Sequence, residues 1–183
     1  MKSLKGKKIL VGVTGSIAVY KSCELISRLL DEGVFPKIVM TESAKKFVTP
    51  LSFESLTGEP VVSSLWNQVE DYPPTIHVSL TEEVACAVIA PATANIIGKI
   101  RAGISDEILS CLLCAFNKPI IIAPAMNTAM YNNPAVQENI AVLKERGIFF
   151  IDPIEGTLAC RAVGIGKMAE PQTIISAIAD ILS

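Results

Sequence analysis

Short apolar runs alternate along this chain with amphipathic stretches, and glycine or proline punctuates the joins. Lys8 to Val13 reads as a strand, Thr14-Gly15-Ser16 as a tight turn, and Ile17 to Leu30 has helical periodicity that closes near Gly33. Phe35 to Met40 predicts a second strand, after which Ser43 is a candidate cap for a short helix from Ala44 to Leu51. From Ser52 to Thr75 the pattern is irregular, with Gly58, Pro60, Pro73 and Pro74 as breaks. Val84 to Ala90 is a strongly apolar third strand. Thr93 to Ala102 and Ser105 to Ala115 predict two helices broken by Gly103, and Pro119 to Ala123 a fourth main strand. Asn133 before Pro134 signals a helix to Arg146, ended by Gly147. Ile148 to Ile151 is another strand, Asp152 to Ala169 a glycine-punctuated loop, and Pro171 opens a final helix.

Nearly all-apolar strands alternating with helices predict an α/β fold: a doubly wound parallel sheet, Rossmann-like and flavodoxin-type, in a three-layer sandwich. Half of the 183 residues are hydrophobic and only 5% are aromatic, so the expected core is aliphatic, as buried parallel strands require. That content suits one domain over residues 1–183, with no internal repeat or linker. The formal net charge of -2 and the lack of a basic stripe argue against a nucleic-acid partner. Lys2, Lys5, Lys7 and Lys8 read as a solvated edge before the first strand. No apolar run approaches the roughly 18 residues of a spanning helix, and no signal peptide is visible. The expectation is a cytoplasmic protein without a membrane partner. Five cysteines at irregular spacing fit reduced thiols. Cys111 and Cys114 have CxxC spacing but sit in an apolar helical pattern, which favours buried core thiols over zinc or redox work.

The candidate chemistry gathers where strands end. Ala123-Pro124-Ala125-Met126-Asn127-Thr128-Ala129-Met130-Tyr131 stops an apolar run at proline and presents one uncharged amide, Asn127, between methionines and a tyrosine. An open α/β sheet builds small-molecule sites at this edge. The first turn, Gly12 to Ala18, brings backbone N–H groups and a helix amino terminus together, which suits an anion. Its spacing is GxxGxxA rather than GxGxxG, so it fits a mononucleotide as well as a dinucleotide. Glu42 is a possible ribose partner, but Thr41 and Ser43 beside it suit phosphate or ring polar atoms better. Pro91-Ala92-Thr93-Ala94-Asn95 repeats the small-and-hydroxyl theme after the third strand. Two such turns on one edge point to one ligand across the switch point. His77 is the only histidine and can exchange a proton near neutrality. Cys160 differs from the other thiols. It lies among glycines, near Arg161 and Lys167, in what reads as a mobile, exposed lid.

Gly15-Ser16-Ile17-Ala18, His77, Pro91 to Asn95, Pro124 to Tyr131, and Leu158-Ala159-Cys160 through Gly166-Lys167-Met168 occur in one order over essentially the whole chain. In this the chain resembles the flavin-containing cysteine decarboxylases, most of all the branch that acts on 4′-phosphopantothenoylcysteine in coenzyme A biosynthesis. The resemblance implies an FMN-dependent carboxy-lyase in a form without a fused synthetase. It implies that FMN is lined by Gly15, Ser16, Ile17, Thr41, Ser43, Thr93, Ala94, Asn95, Ile96 and Ala125. His77 is implied as the base, Asn127 and Met130 as substrate contacts, and Cys160 as the proton donor. The implied reaction oxidises the cysteinyl thiol to a thioaldehyde, releases CO₂ and re-reduces the product. The family assembles as homotrimers or dodecamers of trimers with flavin sites between subunits, and Phe53, Leu65 and Trp66 are candidate contacts. One departure is Arg161, where the family usually has glycine; arginine does not freely adopt left-handed backbone angles. The alternatives are a lantibiotic-type peptidyl-cysteine decarboxylase, a flavin prenyltransferase, a non-catalytic flavin-binding regulatory subunit, and a generic NAD module.

Overall fold

In the computed structural model, which describes residues 4–66 and 76–183, the apolar runs become parallel strands. They are β1 (Lys8–Val13), β2 (Phe35–Met40), β3 (Ala87–Ala92), β4 (Ile120–Pro124) and the short β5 (Phe149–Phe150). The sheet order is β2-β1-β3-β4-β5, the flavodoxin-like order, with all four pairings parallel. The chain reverses direction across the sheet between β1 and β3, so the crevice beyond their carboxyl ends is where a ligand is expected.

Side chains alternate across each strand and feed two cores. On one face Ile9, Val11, Val88 and Ile121 pack under α1 (Val19–Asp31) and α8 (Pro171–Ile181). On the other face Leu10, Ile89 and Ile122 pack under α3 (Ile76–Glu83), α4 (Ala94–Ala102), α5 (Ile108–Cys114) and α7 (Pro134–Glu145). Both faces of the sheet are therefore covered, which is why its central strands are almost wholly apolar. The three-layer expectation holds.

Several local expectations need correction. The helix placed at Ala44 to Leu51 is a single 3₁₀ turn at Ala44–Lys46, and Ser43 does not cap it. Thr41 does, its hydroxyl accepting the Ala44 N–H at 3.2 Å. The stretch read as irregular from Ser52 instead begins within α2 (Pro50–Thr57), which is opened by proline at its first turn and closed by Gly58 at φ 69°. Phe53 on α2 is fully buried in the α1-side core rather than offered to a partner. Leu65 is half-buried, while Trp66 stays 88% exposed. Pro73 and Pro74 lie outside the described residues. The loop at Asp152 to Ala169 is an antiparallel ribbon of β6 (Ile154–Thr157) and β7 (Val163–Lys167). Cys111 is half-buried and Cys114 exposed, so this pair is not core; Leu112 and Leu113 between them are. No metal-binding cluster occurs among the described residues.

One buried hydroxyl joins the ends of β1 and β3. Thr14 Oγ1 donates to the Pro91 carbonyl at 2.7 Å and accepts the Thr93 N–H at 3.1 Å. Ser22 on α1 adds a bond to the Ala90 carbonyl at 2.8 Å. Thr14→Val keeps the shape but strands a buried carbonyl and a partly buried N–H. The prediction is a loss of about 2 kcal/mol in urea unfolding; a midpoint within error of the unmodified protein counts against this role.

Candidate functional site

The carboxyl edge of the sheet holds a cavity of about 530 Å³, within the size range of small-molecule sites. Three segments wall it: Ser16 to Lys21 at the start of α1, Ala125 to Asn127 after β4, and the ribbon from Thr157 to Met168. The ribbon roofs the cavity because glycine lets its backbone reach the loop after β4. Met126 N–H donates to the Gly166 carbonyl at 3.0 Å, and Thr128 Oγ1 donates to the Ile165 carbonyl at 2.7 Å. Gly166 has φ 140°, and a Cβ there would run into the Met126 carbonyl; one on Gly164 would come 2.6 Å from Thr128 Oγ1.

Cys160 occupies the tip of the ribbon. Arg161 N–H donates to the Leu158 carbonyl and Leu158 N–H to the Ala162 carbonyl, both at 2.9 Å. This closes a tight turn followed by a left-handed residue, a common three-residue hairpin connection. The left-handed residue is Arg161, at φ 68°, so the arginine does adopt the glycine-like conformation the turn needs. The lid is thus ordered by strand pairing rather than being an open loop.

The ribbon brings Cys160 to Asn127, whose Nδ2 lies 3.5 Å from Sγ. Asn127 is also the cap of α6 (Thr128–Tyr131), its Oδ1 accepting the Ala129 N–H at 2.8 Å. That bond fixes the amide orientation: the oxygen is spent on the backbone and the NH₂ faces the cavity. An asparagine held this way offers only donors to a ligand. Met130, the third residue of α6, is 49% exposed and does not line this cavity.

Of the residues that the resemblance assigns to a cofactor, Ser16, Ile17 and Ala125 line the cavity directly. The others sit on neighbouring turns of the same edge. Gly15 is pressed against Ser43, where a Cβ would come within 2.5 Å of the serine Cβ, so the turns after β1 and β2 touch. Thr93 caps α4 by accepting the Ile96 N–H at 3.4 Å; Ala94 and Asn95 form the first turn, and the Ile96 side chain is core. The amino termini of α1 and α4 both open onto this edge, with first-turn N–H groups that have no partner inside their own helices. Glu42 is paired with Lys45 at 2.6 Å and is a poor ribose ligand. His77 is the second residue of α3, and its side chain lies outside the described residues.

Lys21 was not singled out by the sequence reading, yet it lines the cavity while only 4% exposed. Its Nζ donates to the Met168 carbonyl at 3.1 Å and to Glu170 at 2.7 Å, tying α1 to the exit of the ribbon. The lysine holds the Glu170 carboxyl below its ordinary range, with Lys167 adding a little. Because that value is depressed in the fold, the pair supports the fold above the carboxyl's ordinary range and fades as pH drops through the lowered value. The signal in the sequence is Lys21 four residues before Leu25, on the helix face that is buried. Lys167 lies 3.8 Å from Glu170, so it is drawn towards that carboxylate rather than left free for Cys160.

A doubly wound sheet whose carboxyl edge sets two helix amino termini beside a roofed apolar cavity defines a flavodoxin-like protein built to hold a small anionic ligand. More particularly, the chain belongs to the Flavoprotein family, whose model matches residues 1–183. It is 44% identical over 173 residues to the coenzyme A biosynthesis bifunctional protein CoaBC of Bacillus subtilis, covering 94% of this chain and 42% of that protein. The chain therefore spans less than half the length of that curated relative. Among solved structures it is similar to a cysteine-to-serine mutant of PPC decarboxylase complexed with pantothenoylaminoethenethiol, with TM-score 0.80, 35% identity, and 94% and 96% of the two chains covered. It is also similar to the FMN-dependent cysteine decarboxylase SpaF, with TM-score 0.83, 32% identity, and 98% and 97% covered. No helix among the described residues is long and apolar enough to cross a membrane.

The ribbon's grip on the loop after β4 is open to test. Gly166→Ala is expected to lift the ribbon and part Cys160, already exposed, from its contact with Asn127. Alkylation of Cys160 should then speed up several-fold relative to Cys114, which is exposed at the end of α5, does not line the cavity and serves as the internal reference. An unchanged ratio of the two rates would show that the contact does not hold the lid.

Proposed function

We propose that this chain is an FMN-dependent decarboxylase that converts 4′-phosphopantothenoylcysteine to 4′-phosphopantetheine in coenzyme A biosynthesis. The observation that carries this reading is the Asn127–Cys160 pair, set 3.5 Å apart on the wall of one cavity at the sheet's carboxyl edge. The similarity to the CoaBC protein and to PPC decarboxylase supports the same substrate. The edge fits FMN: its helix termini and hydroxyls suit the phosphate, and the walls at Ile17, Ala125 and Met126 suit an apolar ring. Gly15, Ser16, Ile17, Thr41, Ser43, Thr93, Ala94, Asn95, Ile96 and Ala125 are the proposed cofactor contacts.

A carboxylate beside an amide-bearing carbon has no internal sink for the electrons left by departing CO₂. The chemistry that FMN supplies when bound is a reversible two-electron sink, which turns the cysteinyl CH₂–SH into a C=S able to accept that pair. The chain's own residues place the substrate and move protons. His77 is the proposed base for the cysteinyl side chain, since an imidazole titrates near neutrality. The Asn127 NH₂ orients the carboxylate as a neutral donor. A cationic partner would stabilise the ground-state carboxylate and oppose its loss. Cys160, at the ribbon tip, returns a proton to the decarboxylated product. The roof formed by Leu158 to Cys160 keeps water from the reacting centre.

We also propose that residues 1–183 act as one unit that assembles as a homotrimer or a dodecamer of trimers. Ile17 at 57%, Tyr20 at 60% and Val163 at 73% exposure leave apolar surface around the cavity for a second copy to cover. A likeness to the peptidyl-cysteine decarboxylase EpiD, with TM-score 0.76 and 25% identity, favours, as a second reading, a peptide bearing cysteine as substrate. Assays of CO₂ release from both compounds separate the two.

The purified protein should be yellow, and a colourless protein that takes up no FMN contradicts the proposal. His77→Asn should retain the flavin spectrum while turnover drops at least about 100-fold; an active variant removes histidine from the role of base. Cys160→Ser should still release CO₂ but accumulate a product two hydrogens short of 4′-phosphopantetheine, detectable by mass spectrometry. Normal product from that variant would assign the proton to another group.

A further inference from the structure

Three cations line the cavity: Lys21, Lys167 and Arg161. Lys21 and Lys167 both turn to Glu170, at 2.7 and 3.8 Å. Arg161 has no side-chain hydrogen bond or ion pair among the described residues. It also stands in a left-handed conformation, φ 68°, that side-chain-bearing residues rarely adopt and that glycine would hold without strain. An unpaired guanidinium kept on a strained turn, over a cavity, is a binding group in search of an anion. Resting on the decarboxylase reading above, we propose that Arg161 is a specificity-determining residue that binds the substrate's phosphate.

The substrate carries two anionic groups, and the chemistry separates them. The carboxylate must leave, and a guanidinium fixed on it would stabilise the starting state more than the departing CO₂. Asn127 already offers that group a neutral donor. The phosphate is unchanged by the reaction, so a charged contact there aids capture without taxing the chemical step. The planar guanidinium matches phosphate with two parallel N–H donors. Arg161 follows Cys160 directly, and its Cα is about 3.8 Å further along the chain. Its long stem lets the charge reach well beyond the thiol along the cavity wall. The closed turn that presents Cys160 to the cavity thus holds Arg161 on the same wall, where a phosphate could meet it.

The test compares R161G and R161K with the unmodified holoenzyme. Glycine relieves the backbone, so R161G isolates the side chain; its melting temperature should be equal or higher. Calorimetric titration with 4′-phosphopantetheine and with pantetheine reads the phosphate contact directly. The unmodified protein should prefer the phosphorylated ligand. R161G should weaken that ligand roughly tenfold or more and leave pantetheine unchanged, with R161K in between. In turnover, KM for 4′-phosphopantothenoylcysteine should rise by a similar factor with kcat within about twofold. Equal affinity of the unmodified protein for the two ligands, equal weakening of both by R161G, or no weakening of either overturns the assignment. Absence of flavin or of CO₂ release from the unmodified protein would instead overturn the decarboxylase reading, because the ligand titrations need no turnover.

Discussion

The Thr14 hydroxyl is the contact on which the carboxyl edge depends. It bonds the Pro91 carbonyl and the Thr93 N–H, so the turns after β1 and β3 cannot separate without stranding buried polar groups. Both turns lead into helices whose amino termini face the same space. A single side chain, 2% exposed, therefore sets the distance between two anion-suited helix ends. The apolar cores on either side make the sheet rigid, and this hydroxyl makes its edge rigid.

The ribbon completes the site from the opposite side. Its glycines let backbone touch backbone at Met126 and Gly166, and its turn delivers Cys160 to Asn127. Asn127 works twice, as a helix cap through oxygen and as a donor through nitrogen. The cap holds the amide in place before any ligand arrives, which is the preorganisation a binding group needs. Lys21 ties the ribbon's exit to α1, so the cavity walls are cross-braced by one buried cation and one half-exposed carboxylate.

Strands β1, β3 and β4 are legible in the sequence because each is buried on both faces and reads as a nearly continuous apolar run. The α7 start is equally plain, since Asn133 caps and Pro134 fills the first turn. The edge residues 14–17, 93–96 and 125–127 follow from those strand ends. Less legible is whatever depends on partners far along the chain. The ribbon of β6 and β7 hides because β6 is a strand of exposed residues and β7 is broken by Gly164 and Gly166, which serve contacts with the loop after β4. Phe53 reads as a candidate partner contact because α2 opens on an unremarkable Thr49-Pro50, although Pro50 and Gly58 do mark its two ends. Lys21 hides because a lysine is buried only when distant residues, here Met168 and Glu170, accept its hydrogen bonds. The CxxC spacing misleads in a different way: it follows the helix, and only the leucines between the thiols are core.

The two-stranded ribbon is bonded within itself and shares no ladder with the five-stranded sheet. It is fastened at its β7 side by Met126, by Thr128 and, at its exit, by Lys21. Such an element is a separate cooperative unit, able to open without unzipping the parallel strands beneath. The molecule thus combines a floor with the stability of the whole domain and a roof that is only as secure as a few polar contacts.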